Sequence, residues 1–147
     1  MSARRFVPAL LAAAAVGCSD LSFTTAVERI PVAIASPSFA RDIAPLLDRT
    51  CASTAACHFG PNAREDLDLS LGLAYAEIVN VPPTNAFLAA PYRVRPGFPD
   101  SSFLYRVLST DPVVRIGFTR MPLTPDPLPQ PVVETIRNWI ANGAPNN

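Results

Sequence analysis

Four segments of the chain carry apolar residues at the three- and four-residue spacing that places side chains on one face of an α-helix. The first segment follows Ser38, a residue type that often caps helix N-termini. Its apolar positions are Phe39, Ile43, Leu46 and Leu47. Pro45 falls inside this stripe, so the helix either starts late or is kinked at the proline. The pattern predicts a helix that runs directly into Cys51.

The other three predicted helices follow later in the chain. One covers residues 70–80, and another begins with Asp100 as its N-cap and continues to residue 109. The last helix is the most regular, because Pro131 suits a first turn and Gly143 suits a helix end. Its apolar face consists of Val132, Val133, Ile136, Trp139 and Ile140. Trp139 and Phe39 are predicted to form core contacts between the first and last helices.

Proline determines the connections between these helices. The chain has 17 prolines in 147 residues, more than twice the average share of about 5%. In residues 117–131 a proline stands at nearly every second position after Met121. Such a segment forms neither a helix nor a central strand. We therefore predict an all-α fold, a small domain of about four short helices joined by long proline-rich loops.

The N-terminus has the pattern of an export signal. Arg4 and Arg5 precede an apolar run over residues 6–16, and small residues then lead to Cys18. These 11 apolar residues are fewer than the roughly 20 that a membrane span needs. The sequence "AAVGC" resembles a bacterial lipoprotein signal in which Cys18 becomes lipidated; plain secretory cleavage is the alternative. We predict a signal peptide over 1–17, a lipid-anchored or free tether over 18–37 and one domain over 38–147, on the periplasmic side of a bacterial membrane.

The charge of the chain gives no indication of a polyanionic partner. Twelve arginines and no lysine balance twelve acidic residues. Removal of residues 1–17 takes away two arginines and no acid, which leaves ten arginines against twelve acids and a formal charge of −2. Nucleic acid binding is therefore not expected. Membrane attachment is expected only through the lipid at Cys18.

The strongest chemical signal is the segment "CASTAACH", in which Cys57 is followed directly by His58, the single histidine of the chain. Haem attachment normally uses two cysteines separated by two residues and followed by histidine. Here five residues separate Cys51 from Cys57. A longer loop spans the same gap at modest entropic cost, and the adjacent pair Cys57-His58 is intact. The motif is compatible with covalent haem attachment.

Three other sites are compatible with the same residues. A Cys51–Cys57 disulfide suits an exported chain, and on the cysteines alone it is as well supported as haem. A zinc site would need a fourth ligand, and apart from Cys18 no other cysteine or histidine is present, so Asp66 or Glu65 would have to serve as weak substitutes. A Cys/His nucleophile would lack a third group to orient it and would need a free thiol in an oxidising compartment.

The remainder of the chain resembles a known family over residues 39–145. The segments "FARDIAPLLDRTC", "CHFG", "YRVRPGFPDSSFLYRVL" and "RMPLTPDPLPQPVVETIRNWIANGAP" are similar to class I c-type cytochromes, in particular to single-haem domains of exported bacterial proteins. The resemblance implies one covalent haem c per chain. It makes Cys51 and Cys57 the thioether attachments, His58 the proximal iron ligand and Met121 the distal ligand. The widened cysteine spacing departs from the family pattern.

The resemblance implies a membrane-tethered or periplasmic electron carrier that exchanges single electrons with redox proteins and is not an enzyme. Met121 is the only methionine beyond the initiator, although methionine also fills gaps in apolar cores. If Met121 is not a ligand, a five-coordinate sensor or a peroxidase-like site becomes the expectation. Arg120 is predicted either to pair with a haem propionate or to be solvated. The rival function is a haem-free exported lipoprotein module with a Cys51–Cys57 disulfide that binds a protein partner.

Overall fold

A computed structural model describes residues 32–84, 89–114 and 117–147. In this part of the chain there are four α-helices and no β-strand. The helices are α1 (Ala44–Thr50), α2 (Ala74–Ile78), α3 (Phe103–Leu108) and α4 (Gln130–Ala141). The predicted all-α fold of short helices with long proline-rich connections is therefore confirmed. None of the described helices has the length and apolar character needed to cross a membrane. The predicted signal peptide and Cys18 lie outside the described residues.

The first helix begins as predicted at Ser38, whose hydroxyl accepts a hydrogen bond from the Arg41 backbone N–H. A π-helical turn over Phe39–Ile43 comes first, and α1 follows without a break. Pro45 lies in the first turn of α1, directly after the π-helical turn. The regular α-helix therefore starts late, which is one of the two outcomes that the position of Pro45 allowed.

The second predicted helix is shorter than expected. Residues 70–73 form a turn, and Gly72 adopts a φ of 88°, a conformation that interrupts a right-handed helix. At the other end Asn80 has a φ of 60°, so α2 ends at Ile78. The predicted range 70–80 was therefore too long at both ends.

The predicted N-cap of the third helix is wrong. Asp100 lies inside a short 3₁₀-helix, Pro99–Ser101, and α3 begins only at Phe103. Ser102 occupies the N-cap position with an extended backbone. Its buried hydroxyl donates to the Phe98 carbonyl instead of bonding a helix N–H. The proline starts a separate turn here, which the helical spacing alone did not reveal.

An aromatic cluster joins the first and last helices, as predicted. Trp139 on α4 is fully buried, with its ring centroid 5.3 Å from Phe39 and 6.5 Å from Tyr75 of α2. The Trp139 indole N–H donates to the Pro145 carbonyl at 3.0 Å. All four α-helices contribute buried residues to this one core, and α1 ends at its edge beside Cys51.

Residues just before the first helix are bound to α4. The Ile34 backbone N–H donates to the Thr135 hydroxyl at 3.0 Å, and the Asn138 side-chain amide donates to the Ile34 carbonyl at 2.9 Å. Asn142 makes a similar bond to the Ala35 carbonyl, also at 2.9 Å. These residues belong to the segment 18–37 that the sequence predicts as a tether. Their backbone nevertheless packs along the last helix.

Candidate functional site

The loop of residues 51–58, called the cysteine loop, starts at the C-terminal end of α1. The Cys51 backbone N–H donates to the Leu47 carbonyl at 2.8 Å, so Cys51 is fixed by the last turn of the helix. The His58 backbone N–H donates to the Cys51 carbonyl at 3.0 Å, and Cys57 N–H donates to the Thr54 carbonyl at 3.0 Å. The extra residues therefore form a closed loop, and His58 returns to Cys51 despite the widened spacing.

Cys51 and Cys57, the two cysteines of the cysteine loop, are free thiols in the structure. The Thr54 hydroxyl lies 3.5 Å from the Cys57 sulfur. Although Cys51 retains some exposed surface, desolvation of its thiol, and to a smaller extent the neighbouring Cys57, raises its pKa from 9.0 to about 12. Cys51 is therefore protonated at neutral pH. A protonated thiol is a poor nucleophile, so Cys51 itself is not suited to nucleophilic catalysis in this state.

His58 is held in one orientation by its own main chain and by Arg64. Its Nδ1 atom lies 3.1 Å from the Arg64 carbonyl oxygen. Because a carbonyl can only accept, the neutral imidazole that forms this bond has its proton on Nδ1 and its lone pair on Nε2. The His58 carbonyl in turn accepts from the Leu69 N–H at 2.8 Å. This is the arrangement by which metal-binding histidines are commonly oriented, with the second ring nitrogen left to the metal.

The segment that orients His58 is fixed by a buried arginine, Arg93, which no sequence pattern indicated. Arg93 is only 7% exposed, and its guanidinium donates to the Glu65 and Glu77 carbonyls, both at 2.9 Å. Glu65 directly follows Arg64, whose N–H donates to the Cys57 carbonyl at 2.9 Å. Arg93 therefore anchors the segment whose carbonyl, that of Arg64, accepts the hydrogen bond from His58. No local signal distinguishes it from a solvated arginine, since the carbonyls it bonds and the Glu77 carboxylate, 3.5 Å away, all lie far from it in sequence.

Met121 lies in the proline-rich segment, beside the end of α3. Its side chain is half-buried and packs against the hydrophobic core. Its backbone N–H donates to the Val107 carbonyl at 2.7 Å, so α3 fixes the position of its main chain. Residues 117–129 contain no helix or strand, as predicted.

A cleft of about 240 Å³ lies between the end of α1 and the proline-rich segment. Thr50 and Pro122, the chain neighbours of Cys51 and Met121, both line it. The other lining residues are Arg49, Thr124, Asp126, Pro127, Leu128 and Pro129. Cys51, Cys57, His58 and Met121 are not among its lining residues, so the cleft joins the end of α1 to the residues that follow Met121.

Arg120 is neither simply solvated nor paired with a carboxylate. The two terminal nitrogens of its guanidinium donate to four carbonyls of the following segment. These carbonyls belong to Pro122, Thr124, Pro125 and Asp126. The side chain thus folds back over its own loop, and its donors are used within the protein.

In the described ranges, no three side chains of the His, Cys, Asp and Glu types are grouped so as to hold a metal ion. Comparison of the chain with protein-family models, with curated proteins and with solved structures finds no match.

Proposed function

We propose that residues 38–147 form a cytochrome c-like domain that holds one covalent haem c and transfers single electrons. The observation that carries this proposal is the hydrogen bond from His58 Nδ1 to the Arg64 carbonyl. It fixes the tautomer with the lone pair on Nε2, which an axial iron ligand requires. The sequence places this histidine directly after Cys57, as haem attachment demands.

The chain provides residues suited to each contact that haem c makes. The thiols of Cys51 and Cys57 would each add S–H across one vinyl group, with the sulfur and the hydrogen going to the two carbons of the double bond. His58 would bind iron through Nε2, and Met121 would supply a thioether from the proline-rich segment. Bound haem would supply a one-electron iron couple, and His58 and Met121 together would leave no iron position open to a substrate. Saturated ligation favours electron transfer over catalysis, so the proposed protein is a carrier and not an enzyme.

The proposed carrier acts outside the cytoplasm, on the periplasmic side of a bacterial membrane. The residues that support this are the apolar run at 6–16 and Cys18 after it, which would be cleaved and lipidated. The lipid would hold the domain at the membrane, where it would exchange electrons with redox proteins. The compartment also fits the haem site, because haem c is attached after export.

Protein produced in a host that matures c-type cytochromes should carry haem that survives denaturation and acid–acetone extraction. Its mass should exceed that of the processed chain by one haem. Cys51→Ala and Cys57→Ala should each retain haem through a single thioether, because the two sulfurs attach independently. Intact mass and the reduced visible spectrum measure both effects. Ser53→Ala is the matched control, since Ser53 is an exposed residue of the same loop and should leave both thioethers in place.

The rival function gives a different result in the same experiment. A mass without haem that is two hydrogens lower than that of the free thiols would show a Cys51–Cys57 disulfide. That result would replace the electron carrier with the haem-free lipoprotein module that binds a protein partner.

A further inference from the structure

The segment that follows Met121 has few ways to hold its own conformation. Residues 122, 125, 127 and 129 are prolines, which have no N–H to donate. The carbonyls of this segment therefore find few backbone donors near them in sequence. Residues 123–127 are also exposed to solvent, so core packing contributes little to their order.

Apart from the Thr124 hydroxyl, which donates to the Asp126 carbonyl at 2.8 Å, Arg120 provides the donors that this segment lacks. Its Nη2 atom lies 2.7 Å from the Thr124 carbonyl and 3.3 Å from the Pro125 carbonyl. Its Nη1 atom lies 3.2 Å from the Pro122 carbonyl and 3.4 Å from the Asp126 carbonyl. One guanidinium therefore bonds both ends of the segment 122–126. The planar arrangement of donors in arginine makes this possible, whereas the ammonium group of lysine acts as a compact point charge.

Met121 stands between this arginine-held segment and a second attachment. On the α3 side its own N–H is bonded to the Val107 carbonyl at 2.7 Å. On the other side Arg120 bonds the Pro122 carbonyl, which directly follows the methionine. The main chain is thus fixed on both sides of Met121. A thioether is a weak axial ligand, so it stays on iron only if the loop that carries it keeps its position.

We infer that Arg120 is a positioning residue for Met121, and that it acts by donating hydrogen bonds to the carbonyls of residues 122–126. The inference rests on the proposed function, in which Met121 is the distal ligand. All four contacts of the guanidinium are to main-chain oxygens, that of Asp126 included. The geometry of the donors therefore matters more than the positive charge. Lysine, which preserves the charge, should not replace arginine.

The test compares the full-length holoprotein with the variants Arg120→Lys and Arg120→Gln. Both variants should keep their covalent haem and their helical circular dichroism, since Arg120 lies outside the four helices. In the ferric state the sulfur-to-iron charge-transfer band should weaken and disappear at a lower temperature than in wild type. The reduced variants should bind carbon monoxide, which the wild type should exclude. Arg41→Lys, at an exposed arginine paired with its neighbour Asp42, is the control and should behave as wild type.

A second measurement does not depend on haem. Chymotrypsin should cleave after Leu123, which is 64% exposed, at least about tenfold faster in both Arg120 variants, because loss of several hydrogen bonds raises the population of the open loop. The inference is overturned if wild type shows the charge-transfer band while both variants keep it to the same temperature and resist chymotrypsin equally. If wild type carries haem but lacks the band, the distal role of Met121 fails and the inference fails with it. That result is distinguishable from one in which wild type shows the band and both variants keep it, because the second result overturns the role of Arg120 and leaves the role of Met121 intact.

Discussion

Replacing Met121 with alanine is expected to lower the midpoint potential of the holoprotein by on the order of 0.1 V, within the roughly 0.8 V over which axial ligands tune haem. A soft thioether stabilises ferrous iron relative to ferric iron, so its loss favours oxidation. The variant should also bind carbon monoxide or peroxide at the open axial position. A redox titration and a ligand titration of variant and wild type measure the two effects.

The expected change is local, because Met121 is only half-buried and lies outside the four helices. Circular dichroism of Met121→Ala should therefore match wild type. Leu123→Ala is the matched control, since Leu123 is an exposed apolar residue two positions away and should leave the potential unchanged. If wild type already binds carbon monoxide and Met121→Ala leaves the potential as it was, Met121 is not the ligand. The sensor or peroxidase-like alternative would then replace the electron carrier.

The largest expected loss of stability follows from Trp139→Ala. The side chain is fully buried, and its removal leaves a cavity against Phe39 and Tyr75. Truncation of a buried aromatic residue typically costs about 3–5 kcal/mol, a large share of the roughly 5–15 kcal/mol that keeps a domain folded. The Pro145 carbonyl also loses its hydrogen bond from the indole. Chemical denaturation followed by circular dichroism measures the free energy of unfolding.

Two further variants separate the contributions at this position. Trp139→Phe retains much of the apolar contact but leaves the Pro145 carbonyl without the indole donor, so its loss should be intermediate. Leu71→Ala, at a residue that is 59% exposed, should change the stability by no more than about 0.5 kcal/mol. A loss below about 1 kcal/mol for Trp139→Ala would show that the cluster does not form the centre of the core.

The elements that the sequence predicted well are those whose signals are local. In α4 the apolar stripe, Pro131 in the first turn and Gly143 after the end all agree, and the helix forms where they indicate. Ser38 caps the first helix for the same reason. The two less accurate predictions fall where a backbone conformation interrupts an apolar pattern. Gly72 turns the chain before α2, and Pro99 starts a separate turn before α3.

The geometry of the candidate site was only partly visible in the sequence. Cys57 and His58 are consecutive residues, so the motif could be recognised from the sequence without a structure. The bond from His58 to the Arg64 carbonyl depends on the path of the main chain, which the residue types do not encode locally. Arg93 and Arg120 present the same difficulty, because both bind main-chain carbonyls. Every residue type carries such a carbonyl, so the sequence gives no sign of the partner.

The bonds between Ile34 and α4 limit how far a lipid-anchored domain could travel from the membrane. Sixteen residue-to-residue steps lead from Cys18 to Ile34, and a fully extended chain of that length spans at most roughly 55 Å. A tether that ended at residue 37 would allow roughly 10 Å more. In the anchored form that we propose, Ile34 would therefore stay within this height above the bilayer, and a redox partner would have to exchange electrons within that height plus the width of the domain. The tether would join the domain beside Thr135, on the side where α4 lies.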